Sequence, residues 1–481
     1  MKISRKNFLR LSGLAGVGMM LGGGKSKAGS NTAISWPYPR QFNMHGYAAP
    51  KLDTVRIGFI GIGGRGSGNV ARYASIEGVE VKALCDPVAS RVDASVSFLK
   101  RELPQHNPDT YTSGREDWKR VCDRNDIDMV VIGTPWHLHA PIAVYAMERE
   151  KHVYVDLPIG NTLEECWEVV ETSERTRRHV YMDCSNCHGG ISAVILNMVR
   201  RGFFGDIIHA EGHYIHDRIS ENRSRWYRNP ENNYFFGYRP WRLQENVNRN
   251  GNLYPGHGLA PLSQMMDLNY GDQMDYMVSI SGNDFSMGDK MREMAEIDDY
   301  YRPYVGLTFR GNMNTTIIRT HKGRTIMLQH DISSPRPGHR FDLISGNKGI
   351  YRDRPGRIAT SEHGWLPQEE YDVLVEQYTP EITKRFTQKV QEAGSRRTTG
   401  GSYSRVSPAD WRLIDSLRNG LPLEVDVYDG ALWSAVTPLS EWSVAREGTS
   451  VKVPDFTRGA WRTNQRGMDI SLREGGTTNL V

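Results

Sequence analysis

The chain has 481 residues, a formal net charge of +4, 38% hydrophobic residues and 24% charged residues. That length exceeds one ordinary domain and points to two, with enough apolar content for sizeable cores. So small a net charge, with no dense Lys/Arg run beyond the N-terminus, leaves no footprint for nucleic acid.

Met1 to Arg10 is basic, Leu11 to Gly22 is a short apolar stretch rich in glycine, and small residues follow. Residues 1–30 read as an export signal, too short and too Gly-rich for a membrane span. Ser4 to Arg10 is similar to a twin-arginine signal with Lys6 in place of the second arginine, which leaves the Sec route open. No cysteine closes the apolar segment, so a periplasmic protein is expected and a lipid anchor is not. Residues 31–53 are polar, with Pro and Gly, and read as an extended lead-in.

The organising stretch is Thr54 to Gly68. Val55 to Ile60 is an apolar run that predicts a buried strand. It breaks into Gly61-Ile62-Gly63-Gly64-Arg65-Gly66, followed by a predicted helix from Asn69 to Ile76 and a second strand, Val79 to Cys85, ending at Asp86. Gly61 permits the tight turn, Gly63 lets a pyrophosphate approach the backbone, and Gly66 lets the helix pack close to the strand. Asp86 stands where a carboxylate accepts the ribose hydroxyls of NAD and repels a 2′-phosphate. Arg65 and Arg91 soften that preference and leave NADP open.

Strand and helix then alternate. Helices are predicted to about Glu102 and over Glu116 to Arg124. A third strand, Met129 to Thr134, ends in Pro135-Trp136-His137-Leu138-His139, and a helix follows from about Ala140 to Glu150. His152 to Asp156 is a fourth strand, Thr162 to Arg177 an amphipathic helix with Leu163, Cys166, Val169 and Val170 on one face, and His179 to Met182 a fifth strand. This alternation predicts a doubly wound parallel sheet with ligands at the carboxyl ends of its strands. After a helix from Ser192 to Arg201, strand-like runs dominate: Ile207–Tyr214, Met277–Ser281, Val305–Phe309, Thr315–Arg319, Thr325–His330 and Phe341–Ser345. They suggest an α+β domain with an open, mainly antiparallel sheet. Residues 222–255 read as a long aromatic and Asn-rich insertion, and Leu421 to Thr449 has a helical pattern followed by Val451-Lys452-Val453-Pro454. The expected organisation is therefore a signal (1–30), a lead-in (31–53), an α/β Rossmann domain (54–188), an α+β substrate and oligomerisation domain (189–460) and a tail (461–481).

Five cysteines are present, at 85, 122, 166, 184 and 187. Cys85 falls in a predicted core strand. Cys184-x-x-Cys187 suits redox or metal chemistry, but no second pair completes a zinc site, so no metal is expected. The odd count argues against a disulfide framework and leaves room for one bridge.

A nucleotide domain followed by an open sheet, with an acid-x-Pro triplet closing the fourth strand, resembles the Gfo/Idh/MocA oxidoreductases. Those usually carry Glu-Lys-Pro there; this chain has Asp156-Leu157-Pro158 and lacks the lysine. The export signal, Gly63-Gly64-Arg65-Gly66, Cys85-Asp86, Trp136-His137-Leu138-His139, Glu165-Cys166-Trp167, Leu196-Asn197-Met198-Val199, Tyr254-Pro255-Gly256-His257-Gly258 and His330 to Pro337 together are similar to glycoside hydrolase family 109. That family is known for α-N-acetylgalactosaminidase activity with tightly bound NAD.

The resemblance implies a redox-neutral hydrolysis. NAD⁺ takes hydride from C3 of the sugar, the C2 proton becomes acidic, its loss expels the C1 leaving group, water adds, and hydride returns. No carboxylate pair flanking the bond is needed, but a base for the C3 hydroxyl and one for the C2 proton are. His257 is the first choice for the C3 base, with an ordinary pKa of about 6.5. Tyr254 matches a family site residue that orients or binds the sugar. Tyr214 and Arg242 match substrate contacts, and Trp136 to His139, Asp156 and Leu157 match the nucleotide side. The family has Glu where Asp156 stands, Tyr where His188 stands, Asn near Ser185, and Tyr at Gly338, which is followed by His339. His188 inherits the acid/base position, His339 the substrate position and Ser185 a cofactor position. These changes cluster at the presumed sugar site, so a different sugar is compatible with the same chemistry.

Plainer readings stand beside these. His257 is also what a surface histidine in a Gly-rich turn looks like, Trp136, His139 and Tyr214 could simply pack, and Arg242 with Trp241 could be a surface pair. The Trp and Tyr density of residues 222–241 suits a sugar-stacking wall or a contact between copies in a homo-oligomer equally. A periplasmic sugar oxidoreductase with net hydride transfer and a non-catalytic sugar sensor are the competing functions.

Overall fold

The computed structural model describes residues 39–183, 185–219, 228–229, 234–235, 240–394 and 405–481. The expected export signal lies outside the described residues, as does most of the aromatic stretch 222–241.

The first half builds the predicted parallel sheet. Its elements are β1 (Val55–Ile60), α1 (Gly66–Ala74), β2 (Val79–Cys85), α2 (Ala89–Glu102), β3 (Asp109–Tyr111), α3 (Asp117–Cys122), β4 (Met129–Ile132), α4 (His139–Met147), β5 (His152–Val155), α5 (Leu163–Thr176) and β6 (Val180–Met182). The strand order is β3-β2-β1-β4-β5-β6, with every pairing parallel. β1, β4 and β5 are buried almost throughout because helices cover both faces, which is why they read as continuous apolar runs. α5 starts where Thr162 accepts the Glu165 N–H, as its amphipathic pattern predicts. α1 begins three residues earlier than expected, at Gly66, because the glycine turn runs straight into the helix. β3 was not anticipated: three residues, two exposed and one half-buried, carry no apolar signal.

The second half continues with α6 (Ser185–His188), α7 (Gly190–Arg200), β7 (Ile207–Ile215), β8 (Arg228–Asn229), β9 (Tyr234–Phe235), α8 (Pro240–Glu245), α9 (Gly256–Met265), β10 (Met274–Ser281), α10 (Met287–Ala295), β11 (Asn314–Thr320), β12 (Thr325–Asp331), β13 (His339–Gly346), β14 (Gly349–Arg352), β15 (Arg357–Thr360), β16 (Gly364–Trp365), α11 (Gln368–Tyr378), α12 (Glu381–Glu392), α13 (Pro408–Asn419), α14 (Val427–Val444) and β17 (Val451–Lys452). The nine-stranded sheet has the order β16-β15-β14-β13-β7-β12-β11-β10-β17. It is antiparallel except where β7 lies parallel to β12, because β7 slots between two strands that come later in the chain.

The expected strand Val305–Phe309 does not form. A 3-10 turn over Asp299–Tyr304 precedes it, Val305 and Leu307 are exposed, and only Phe309 makes a bridge, to Val247. The alternation of apolar residues there marks a loop with one anchored end. α13 and α14 each open with a capping box, Ser407 with Asp410 and Asp426 with Asp429. α14 is buried along most of its length and packs on α5 and β10, tying the two sheets together. The C-terminal tail returns to the first sheet's side: Asn479 accepts the Glu77 N–H and Ile76 bridges Leu480.

Candidate active site

The parallel sheet runs outward in two directions from β1 and β4, so the loops after these two strands border the switch-point crevice. Gly61 has φ +85°, and a β-carbon there would meet the Gly133–Thr134 backbone at 2.8 Å. A β-carbon at Gly66 would strike the Gly61 carbonyl. The turn is therefore built from bare backbone. Gly63 is half-buried and Gly64 exposed, and the N-terminus of α1 has no side-chain cap and no acidic residue in its first turn. Such a helix N-terminus suits an anion.

Asp86 ends β2 almost fully buried. Its Oδ2 accepts the Ile62 N–H at 2.8 Å, its Oδ1 accepts the Val88 N–H at 2.9 Å, and Arg91 lies 3.3 Å away. The carboxylate is thus locked at the lip of the glycine turn. Arg65 swings the other way. Its Nε donates to Asp156 at 3.1 Å and its other arm pairs with Asp183. Glycine turn, uncapped helix and anchored acid fit a dinucleotide.

Trp136 and His139 follow β4 and are buried. The ring nitrogens of His139 lie 2.7 Å from the Pro158 carbonyl and 2.9 Å from the Thr134 carbonyl. Burial pushes its proton affinity down, so the neutral ring donates to one of the two. It ties the loop after β4 to the Asp156-Leu157-Pro158 loop after β5.

His257 lies in the first turn of α9, which replaces the Gly-rich turn read from sequence. Its glycine neighbours set its place. A β-carbon on Gly258 would lie 2.4 Å from the His213 nitrogen, and one on Gly212 would lie 2.6 Å from the Gly258 carbonyl oxygen, so α9 rests backbone to backbone on β7. Gly256 faces the Leu157 side chain, whose methyl would lie 2.2 Å from an added β-carbon. His257 is thereby pressed between the acid-x-Pro loop and the sheet.

An aromatic cluster surrounds it. The His257 ring stacks on Tyr214 with centroids 5.2 Å apart and meets Tyr254 edge-on at 4.9 Å. Tyr254 stacks on Trp136 at 5.3 Å and meets Tyr214 at 4.7 Å. Arg242 lies over Trp136, Trp241 and Tyr254, and Arg340 lies 4.1 Å from the Tyr214 ring centroid. Burial, reinforced by Arg340, Arg65, Arg242 and Arg218, holds His257 well below the usual histidine range. Burial alone would raise Tyr214, but Arg242, Arg218 and Arg340 outweigh it and bring the phenol below its ordinary value. Tyr254 goes the other way, raised by burial and by the neighbouring Tyr214.

Tyr214, Arg242, Tyr254, His257 and Trp136 therefore converge, with Arg65 and Asp156 close by. His188 and His339 take other partners. His188 is buried at the end of α6, with Nε2 2.6 Å from Glu424, whose other oxygen accepts from Arg412 at 2.8 Å. His339 turns to His213, Asp342 and Asp353. Ser185 begins α6, next to Cys184, which lies outside the described residues and takes the Cys-x-x-Cys expectation with it. Cys85, Cys122 and Cys166 are buried and free, and Cys187 is buried. Burial pushes the Cys85 thiol up to about 12.

Asp183, Arg218, Arg340 and His330 were given no role in the sequence. Asp183 follows β6 as Asp86 follows β2, a positional signal that was there to read. Arg218 and Arg340 had none, because their approach to Tyr214 depends on the pairing of β7 with β13.

A family model described as "Glycosyl hydrolase 109, C-terminal domain" matches residues 192–463, and one described as "Oxidoreductase family, NAD-binding Rossmann fold" matches residues 55–184. The chain is 38% identical over 469 residues to a glycosyl hydrolase family 109 protein of Shewanella pealeana, covering 97% of this chain and 98% of that one. It is 37% identical over 461 residues to an α-N-acetylgalactosaminidase of Shewanella oneidensis, covering 95% and 97%. Among solved structures, a levoglucosan dehydrogenase in complex with NADH and L-sorbose aligns with TM-score 0.58 and 16% identity, over 84% of this chain and all of that one. An oxidoreductase domain protein from Kribbella flavida aligns with TM-score 0.59 and 17% identity, over 83% and 99%. These two likenesses concern the fold.

Proposed function

The chain belongs to glycosyl hydrolase family 109, and from that premise we propose that it is an NAD-dependent glycosidase of the α-N-acetylgalactosaminidase type, with an altered sugar site. The observation that carries the proposal is the stack of His257 on Tyr214, with Arg340 over the Tyr214 ring, beside the nucleotide crevice.

Gly61, Gly63, Gly64 and Gly66 with the α1 N-terminus hold the pyrophosphate, and Asp86 holds the ribose. NAD, when bound, supplies a hydride acceptor for C3 of the sugar and a donor for its return, so turnover is redox-neutral. His257 takes the C3 hydroxyl proton, since its ring is unprotonated at neutral pH. The C2 proton, acidified by the C3 carbonyl, goes to Tyr214, whose phenol is lowered by three guanidiniums. Tyr214 thus takes the second acid/base role that the resemblance would give His188, whose Nε2 is held by Glu424. Tyr254 and Arg242 orient the sugar, and Trp136 closes the wall between sugar and nucleotide. The nucleotide stays bound between turnovers, as suits a protein exported folded to the periplasm, where free NAD is scarce. No helix among the described residues is long and apolar enough to cross a membrane.

The test uses the purified mature protein with no nucleotide added. It is incubated with a panel of aryl glycosides that includes α-N-acetylgalactosaminide, while aglycone release and reduced-nicotinamide absorbance are followed. Aglycone release without lasting NADH supports the reading. Stoichiometric NADH with no aglycone overturns it in favour of a sugar oxidoreductase.

A further inference from the structure

Behind the aromatic site, strands β7 and β13 bring together side chains that the reaction does not use. One donor atom each of His213, His339 and Asp342 lies within 4.8 Å of the others. His213 Nε2 is 3.2 Å from one Asp342 oxygen, and His339 Nε2 is 3.3 Å from the other. Asp353 stands 3.7 Å from the same His339 nitrogen.

The backbone is arranged to make this grouping. β7 pairs with β12 in unbroken register, so consecutive residues face opposite ways: Tyr214 looks at His257 and His213 looks away from it. In a regular strand His339 and Asp342, three apart, would also face opposite ways. The register of β13 against β7 shifts on both sides of Phe341, and those shifts turn both residues toward His213.

Hydrogen bonding satisfies the group only in part, through the contact of His213 Nε2 with Asp342. His213 is 4% exposed, and its Nδ1 is buried without a hydrogen bond. His339 Nε2 is buried between two carboxylates yet aligned as a donor to neither. Nitrogen and oxygen ligands about 2.0–2.1 Å from a tetrahedral zinc stand about 3.4 Å apart; three pairs here lie at 3.2, 3.3 and 3.7 Å, and the three donor atoms within 4.8 Å of one another, so an ion would draw them slightly inward. Two neutral imidazoles and two carboxylates carry two negative charges, which a divalent ion balances. Arg354 approaches Asp353 at 3.5 Å but is 62% exposed, and Tyr351 donates to the other Asp353 oxygen at 3.0 Å, so Asp353 is the most engaged of the four.

We propose that His213, His339 and Asp342, with Asp353 as the fourth donor, bind a divalent transition-metal ion, zinc by ligand type, on the face of the β7–β13 pair opposite Tyr214 and Arg340. The ion clamps the two strands whose alternate residues present those groups to the active site.

The test uses the full-length protein with its own nucleotide. It is treated with chelator, reloaded with zinc sulfate, passed through a desalting column and analysed for bound metal and thermal unfolding. About one zinc retained per chain, with a higher unfolding temperature than the chelated form, is expected. Asp342→Asn and His213→Gln should each retain about tenfold less metal. If the variants do not fold, cobalt is substituted into the wild type: d–d bands without a thiolate charge-transfer band support nitrogen and oxygen ligation. A wild type that holds no more zinc than its variants, or a cobalt form showing thiolate ligation, overturns the assignment.

Discussion

Replacing Gly258 with alanine sets a methyl group against strand β7 at the base of the site. The new β-carbon would lie 2.4 Å from the His213 nitrogen and 2.7 Å from the Gly212 carbonyl carbon, where ordinary contact begins near 3.4 Å. Both obstacles are backbone in the middle of a sheet, so the first turn of α9 must retreat by about 1 Å. His257 sits in that turn and moves with it. Overpacking of this kind costs about 1–3 kcal/mol of stability, while a misplacement of about 1 Å at a reacting group is worth about 10²-fold in rate. The expected outcome is therefore a modest fall in unfolding temperature with a much larger fall in kcat on the aryl glycoside, nucleotide still bound. Gly114→Ala is the control, since nothing lies within 4 Å of the added carbon. If Gly258→Ala kept kcat within about twofold of wild type, the glycine contact would not be what positions His257.

Asp86→Ala removes a carboxylate that holds the Ile62 N–H of the nucleotide turn and the Val88 N–H of its own loop, and should cut NAD retention by about tenfold or more, read by chromatography of released nucleotide; retention at wild-type level would remove Asp86 from the ribose site. Glu424 is held down at about 2 by His188 and Arg412 against the opposing effect of its own burial, so it is ionised at neutral pH. Glu424→Gln takes from Arg412 one of two buried counter-charges, Asp415 being the other, and should cost about 1–3 kcal/mol in denaturant unfolding, a loss that an unchanged midpoint would contradict. His152 and His179 are buried side by side, and burial pushes each down to about 3. The unfolded chain binds protons below about 6.5 and the folded pair does not until about 3, so stability should fall as pH drops through that window. His152→Gln should flatten the fall, and a slope identical to wild type would assign acid sensitivity elsewhere.

The nucleotide domain was legible in the chain because its information is local. Strands covered on both faces are short and mostly apolar, so Val55–Ile60 and Val79–Cys85, the latter despite Glu80 and Lys82, were read to the residue. The glycine turn and the acid at position 86 follow from backbone and charge requirements that neighbouring residues express. The motif around Tyr254 and His257 was likewise visible. Its helix was not, because Gly256, Gly258 and Pro261 argue against one and only burial beneath β7 and α14 overrides them. Side-chain direction in the second domain lay beyond local pattern. His339 and His188 occupy positions aligned with a sugar site, yet one faces His213 and Asp342 and the other faces Glu424. The first outcome hangs on a register shift in β13, the second on helices joined far along the chain. Period-two alternation names two faces without saying which is which, and one extra residue in a strand exchanges them. That choice, together with the insertion of β7 between β12 and β13, was made by tertiary pairing, and it decides which residues meet His257.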